Sequence, residues 1–174
     1  LNRAPGCVVG NPNFVKKVVF PLEILGWVQH GAAWFHFLTS LVILIVFQFL
    51  IFGSVPITAL LTPVVLLPLL LVAQGAIWCI SALTVYFRDL AQVTGLLATC
   101  ALFASPVLYP MESVPEMFRP FLYLNPLTSS LEMFRAVMLW GAMPDWWHWV
   151  IQLGVGLSVF WLGYVVFQKS RNGF

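Results

Sequence analysis

The sequence has 174 residues, of which 61% are hydrophobic, 16% aromatic and only 8% charged, with a mean hydropathy of +0.95. An ordinary soluble domain carries roughly a quarter charged residues, so eight basic and six acidic side chains are too few to face water and the chain is a membrane protein. The same figures exclude disorder, collagen and coiled coil, and a scattered net charge of +2 gives no footprint for nucleic acid.

The chain opens on Leu1, with a polar, turn-rich stretch to Asn13 and no signal peptide, so the expectation is a fragment that lacks an upstream part. Cys7 lies in this stretch, while Cys79 and Cys100 lie in apolar runs. An odd number without metal spacing reads as small hydrophobes, not as a disulfide framework. Next comes a short basic and apolar stretch, Asn11 to Leu25, with Lys16, Lys17 and Glu23 and with prolines at 12 and 21. It reads as an amphipathic interfacial segment, serving either as a basic anchor on anionic lipid or as a docking element for a cytoplasmic partner.

No formal charge occurs from Ile24 to Phe87. One helix of that length would run about 96 Å against roughly 30 Å of hydrocarbon, so it must fold back. The break belongs at Gly53-Ser54-Val55-Pro56, where a flexible residue and a residue without an N–H interrupt the helix. Spans are expected near 31–52 and 57–86, the second kinked or tilted by Pro63 and Pro68. After Tyr86-Phe87-Arg88-Asp89, a tight turn or an ion pair coupling two helices, a third span is expected near 91–109. A fourth follows near 147–168. Spans of this kind must be helices, because lipid satisfies no backbone group and the Leu, Val and Ile runs lack barrel alternation.

Between the last two spans lie Pro106, Pro110, Pro115, Pro120 and Pro126, which no continuous helix survives. The stretch Phe118 to Trp140 is nevertheless too apolar for a solvated loop. The segment 110–145 therefore reads as a re-entrant pair of half-helices, near 113–123 and 127–140, with Asn125 as N-cap of the second. The alternative is a loop resting on the interface. Basic residues in the loops fall six to two: Arg3, Lys16, Lys17, Arg88, Lys169 and Arg171 on one side, Arg119 and Arg135 on the other. The first side is cytoplasmic and the 112–145 segment external, with Trp146, Trp147 and Trp149 at the outer interface.

Catalysis is not indicated. His30 and His36 do not share a helix face, and no nucleophile elbow, phosphate loop or metal spacing is present. Gln48, Gln74 and Thr39 read as hydrogen bonds between helices, and Gly75-x-x-x-Cys79 and Gly154-x-x-x-Ser158 as close-packing patterns.

Five ordered motifs carry a resemblance: Asn13-Phe-Val-Lys-Lys-Val-Val-Phe-Pro-Leu-Glu-Ile-Leu25, Tyr86-Phe-Arg-Asp-Leu90, Ser105-Pro-Val-Leu-Tyr-Pro110 with Val114-Pro115, Asn125-Pro-Leu127, and Phe134-Arg135. In this order the chain resembles the membrane subunit of ABC-2 type polysaccharide exporters over nearly its whole length. The resemblance implies an all-α polytopic bundle and places residues 1–174 in a partial transmembrane domain that lacks the first two of six spans. It implies a permease for a lipid-linked polysaccharide of the O-antigen, capsule or teichoic acid type, on an undecaprenyl pyrophosphate-type carrier, in the bacterial inner membrane. Two permeases and two nucleotide-binding ATPases would form the working unit, the ATPase binding ATP and Mg, with no cofactor in this chain. Lys16, Lys17, Phe20, Pro21 and Glu23 would lie in the ATPase-coupling loop, and Arg88 and Asp89 in the cytoplasmic turn. Phe103, Pro106, Tyr109, Pro110, Phe121, Tyr123, Asn125, Pro126 and Arg135 would form the external gate and pathway, Tyr109 foremost, since sugars stack on aromatic rings. Gly26 departs from the proline expected there. A drug or small-lipid exporter of the same superfamily, and an integral membrane transferase using Glu112, Glu116, Glu132 or Asp145, are the competing readings.

Overall fold

Glycine and proline decide where the apolar run breaks. The computed structural model describes residues 4–5, 23–87, 89–107, 109, 111–118, 122 and 125–170. Helix α1, Glu23–Phe52, ends as Gly53 takes φ +70° and returns its N–H to Phe49 O at 2.9 Å, a left-handed cap that only glycine adopts without strain. After Pro56 a 3-10 turn, Ile57–Leu61, leads into α2, Thr62–Tyr86, with Pro63 in its first turn and Pro68 in its interior. Then come α3, Leu90–Phe103, α4, Pro126–Met138, and α5, Trp146–Ser170. All regular structure among the described residues is helical.

Three helical segments are long and apolar enough to cross a membrane: Gly26–Phe52, Ile57–Tyr86 and Trp146–Ser170. α3 differs from the expected span at 91–109. It is 14 residues long, about 21 Å, and stops at Phe103 because Ser105 and Pro106 turn the chain, the residue before a proline being biased away from the helix. Of the segment near 113–123, where a half-helix is expected, the described residues hold the 3-10 turns Met111–Ser113 and Glu116–Phe118 and a helical Leu122; residues 119–121 and 123 lie outside the described residues. The second half-helix is present as α4, 13 residues.

The centre of the fold is the pairing of α2 with α5, the most extensive contact between elements. A Cβ on Gly75 would meet the carbonyl of Val159, one on Gly163 the carbonyl of Gly75, and one on Gly156 would stand 2.8 Å from Pro68 O. Bare backbones therefore touch along a seam, the close approach that small residues permit in lipid. Gly75 packs as the sequence implied; Gly154 does not. Nothing lies within 4 Å of its hypothetical Cβ, and Ser158 merely bonds back to Gly154 O at 2.8 Å. The seam instead uses Gly156 and Gly163, seven residues apart and hence on one helix face. Beside it, Trp78 meets Phe160 at 5.0 Å, Tyr164 at 5.5 Å and, edge-on, Trp27 of α1 at 6.0 Å. Gly26 sits where a side chain would press on Trp78 Nε1 at 2.8 Å, so α1 runs helical through the position where the resemblance implied proline.

α4 lies against α2 through Val65, Met133 and Val137, with Leu61 and Trp149 at the edge. At the opposite end, Ser81 Oγ donates to Ala4 O at 2.8 Å, laying the start of the chain on α2. Much of α1 shows apolar side chains outward, Phe47 58% and Leu50 73% exposed. In water that would be a large patch; in hydrocarbon it costs nothing.

Candidate functional site

The proline-rich segment after α3 is held by three polar side chains, each taking a backbone carbonyl that the turn leaves without a partner. Residues 104 to 107 tighten into short-range bonds, Ser105 N to Leu102 O and Val107 N to Ser105 O, so the last carbonyls of α3 lose their helical donors. Asn125 Nδ2 donates to Ala101 O at 3.1 Å, and Tyr109 OH donates to Phe103 O at 3.2 Å. Arg135 Nη2 donates to Val107 O at 3.2 Å while its Nη1 pairs with Glu132 Oε1 at 3.0 Å. Asn125 also caps α4, its Oδ1 accepting from Leu127 N at 3.1 Å, as an Asn before a helix-starting proline does. Phe103, Pro106, Tyr109, Asn125, Pro126 and Arg135 are thus brought into one clasp. Pro106 is buried beneath it and Phe103 is exposed at its edge.

The far end of α4 is tied just as firmly. Its orphan carbonyls Val137 O and Met138 O accept from Thr58 Oγ1 and Gln48 Nε2, each at 2.7 Å and buried. The break between α1 and α2 is thereby locked to α4, and Gln48 takes the interhelical role read from the sequence. A third attachment comes from α5. Gln152 Nε2 donates to Pro126 O at 3.3 Å, and Ser130 Oγ lies 3.4 Å from Gln152 Oε1.

α5 starts at Asp145, whose Oδ1 accepts from the N–H groups of Trp147 at 3.0 Å and His148 at 3.3 Å, with Oδ2 2.7 Å from His148 Nδ1. The His148 hydrogen bond, side chain first, holds the Asp145 carboxyl below its usual range. One turn further, Trp149 Nε1 donates to Val64 O at 2.9 Å. Between α2, α4 and α5 lies a cleft of about 760 Å³, with Asp145, His148, Ser129 and Glu132 around one end and Leu69, Val72, Ile151 and Val155 along its walls.

The other sequence-predicted residues fall elsewhere. Lys16, Lys17, Phe20, Pro21, Arg88, Pro110, Phe121 and Tyr123 lie outside the described residues, as does the side chain of Glu23, which opens α1. Asp89 is exposed at the start of α3, and its carboxylate makes no cap bond. Nearby, Tyr86 OH donates to Ser170 O at 3.1 Å, joining that turn to the end of α5. Gln152, Ser130 and Thr58 were not singled out from sequence, and Trp149 only as part of the interfacial tryptophan cluster, although Pro68 carried a signal: a proline inside a helix advertises a free carbonyl four residues earlier. Among the described residues no three His, Cys, Asp or Glu side chains are grouped to hold a metal.

The sequence profile of the family described as ABC-2 type transporter matches residues 2–139. Two proteins of Klebsiella pneumoniae named O-antigen export system permease protein RfbA are similar to this chain. One is 28% identical over 163 residues, covering 87% of this chain and 61% of the relative; the other is 24% identical over 168 residues, covering 95% and 64%. A protein of the same name from Myxococcus xanthus is 28% identical over 165 residues, covering 93% of this chain and 63% of the relative. The chain thus spans a little over three fifths of the length of these relatives.

Proposed function

The chain belongs to the ABC-2 type transporter family, and from that premise we propose that it is the membrane-spanning permease subunit of an ATP-driven exporter for a lipid-linked polysaccharide of the O-antigen type. The observation that carries this reading is the similarity, over most of the chain, to three proteins named O-antigen export permeases, in a protein built from apolar membrane-length helices. ATP hydrolysis belongs to a separate nucleotide-binding subunit that carries ATP and Mg. A second copy of the permease completes the passage, which lies in the bacterial inner membrane and takes a glycan on an undecaprenyl pyrophosphate-type lipid.

In this reading the clasp formed by Tyr109, Asn125 and Arg135 acts as the hinge of an external gate, since it joins α3 to α4 through side-chain bonds and not through continuous helix. The basic stretch with Lys16, Lys17 and Glu23 is the coupling element toward the ATPase. The test is export of a defined lipid-linked glycan by the full permease with its ATPase in vesicles. Lys17→Glu and Glu23→Lys should each reduce glycan-stimulated ATP hydrolysis and export while leaving membrane insertion intact. Unaltered export in both variants overturns the coupling assignment. Transport of small amphiphiles with no glycan transport overturns the cargo and favours a drug or lipid exporter.

A further inference from the structure

The cleft between α2, α4 and α5 is graded in polarity along its depth. α2 and α5 run parallel, with Val64 level with Trp149 and Pro68 level with Gly156. Along α5 the lining residues therefore descend from Asp145 and His148, through Gln152, to Val155, about 15 Å at 1.5 Å per residue. Leu69, Val72, Ile151 and Val155 make the deeper walls apolar, while Glu132 and Asp145 stand at the mouth; the described lining residues include no lysine or arginine, and the one guanidinium beside them is that of Arg135, paired with Glu132. At about 760 Å³ it has the size of sites that hold small organic ligands, roughly 300–1,000 Å³. The Trp146–Trp149 pair, edge-on at 5.9 Å, sets the mouth at the level of the headgroups, where such rings accumulate. Charge distribution makes that leaflet the outer one.

We propose that this cleft holds one phospholipid of the surrounding leaflet with a primary-amine headgroup, its ammonium at Glu132 and Asp145 and an acyl chain along Leu69, Val72, Ile151 and Val155. Both carboxylates keep acceptor capacity. Glu132 gives Oε1 to Arg135, and Asp145 gives Oδ1 to two N–H groups and Oδ2 to His148, while a carboxylate offers about four lone-pair sites. Side-chain exposures of 24% for Glu132 and 57% for Asp145 leave both reachable. An ammonium with three N–H donors fits there; a quaternary amine donates nothing, and an anionic headgroup without an amine meets the Asp145 carboxylate and a Glu132 carboxylate whose Arg135 partner is already engaged. Seated so, the lipid would wedge α4 against the α2–α5 pair. The site does not depend on the cargo being a polysaccharide.

The test uses the full protein purified in detergent, with native mass spectrometry of retained lipid after exposure to phosphatidylethanolamine, phosphatidylcholine and phosphatidylglycerol in equal amounts. Phosphatidylethanolamine should be retained over either competitor by about tenfold. The double variant Glu132→Gln, Asp145→Asn should lose that preference while keeping its fold, because Asn caps a helix as well as Asp does. Val72→Phe, which fills the apolar wall, should lower retention of all three lipids. Size-exclusion profile and helical circular dichroism establish that each variant is folded. Equal retention of the three lipids by the wild-type protein, survival of the preference in the double variant, or undiminished retention by folded Val72→Phe overturns the assignment.

Discussion

The indole of Trp149 donates to the carbonyl of Val64 at 2.9 Å, and Pro68 is the reason that carbonyl is free. Pro68 has no N–H to return to the residue four before it, and in lipid no water takes its place. Trp149→Phe should therefore lower stability by about 0.6–1.7 kcal/mol, the range of interhelical hydrogen bonds in membranes. Restoring the helical donor with Pro68→Ala should shrink that loss. A double-mutant cycle on detergent unfolding checks this, and an equal cost of Trp149→Phe in both backgrounds defeats it.

Glycines on α5 divide sharply by face. A Cβ on Gly163 meets backbone of α2, whereas one on Gly154 meets nothing within 4 Å. Gly163→Ala should destabilise by about 1–3 kcal/mol through overpacking. Gly154→Ala should be neutral or stabilise by up to about 1 kcal/mol through helix propensity. Thermal midpoints of the two variants side by side decide the matter.

Asn125 holds two elements with one amide. Asn125→Asp keeps the cap on Leu127 N but removes the donor to Ala101 O, and Asn125→Ala removes both. The alanine variant should lose about 0.5–2 kcal/mol from the cap alone. Hydrogen exchange should rise at the first turn of α4 in the alanine variant only, and around residues 101–107 in both. Exchange unchanged around 101–107 in the aspartate variant would show that the clasp does not depend on this bond.

The Asp145 carboxyl, held below its ordinary value of 3.8 chiefly by the hydrogen bond from His148, makes the start of α5 sensitive to acid. A depressed carboxylate stabilises the fold fully above its unfolded value, and that contribution fades as pH falls through the lowered folded value. The thermal midpoint of the wild type should therefore drop more than that of Asp145→Asn between pH 5 and the acid side of 3.8. Parallel curves for the two proteins would remove Asp145 from the account.

How much of this was legible beforehand depended on how local the cause was. The break at Gly53 and the cap at Asn125 could be read directly, because a left-handed turn and a side-chain acceptor before Pro126 are properties of one or two residues. The end of α3 was placed six residues late, since apolar character continues past Phe103 while Pro106 has already turned the chain. Choosing Gly156 over Gly154 was beyond reach: α5 is apolar all round, so no periodicity marks its packed face. The attachments of Thr58, Gln48 and Gln152 join residues far apart in the chain, and such pairings depend on the finished arrangement of helices.

Because Gly75 and Gly163 bring two backbones into contact, α2 and α5 cannot slide or roll past one another without a collision between peptide groups. They form a single mast. α1 and α3 touch that mast sparingly, so these outer helices are freer to shift than the pair they lean on, with α4 tethered to it like a boom.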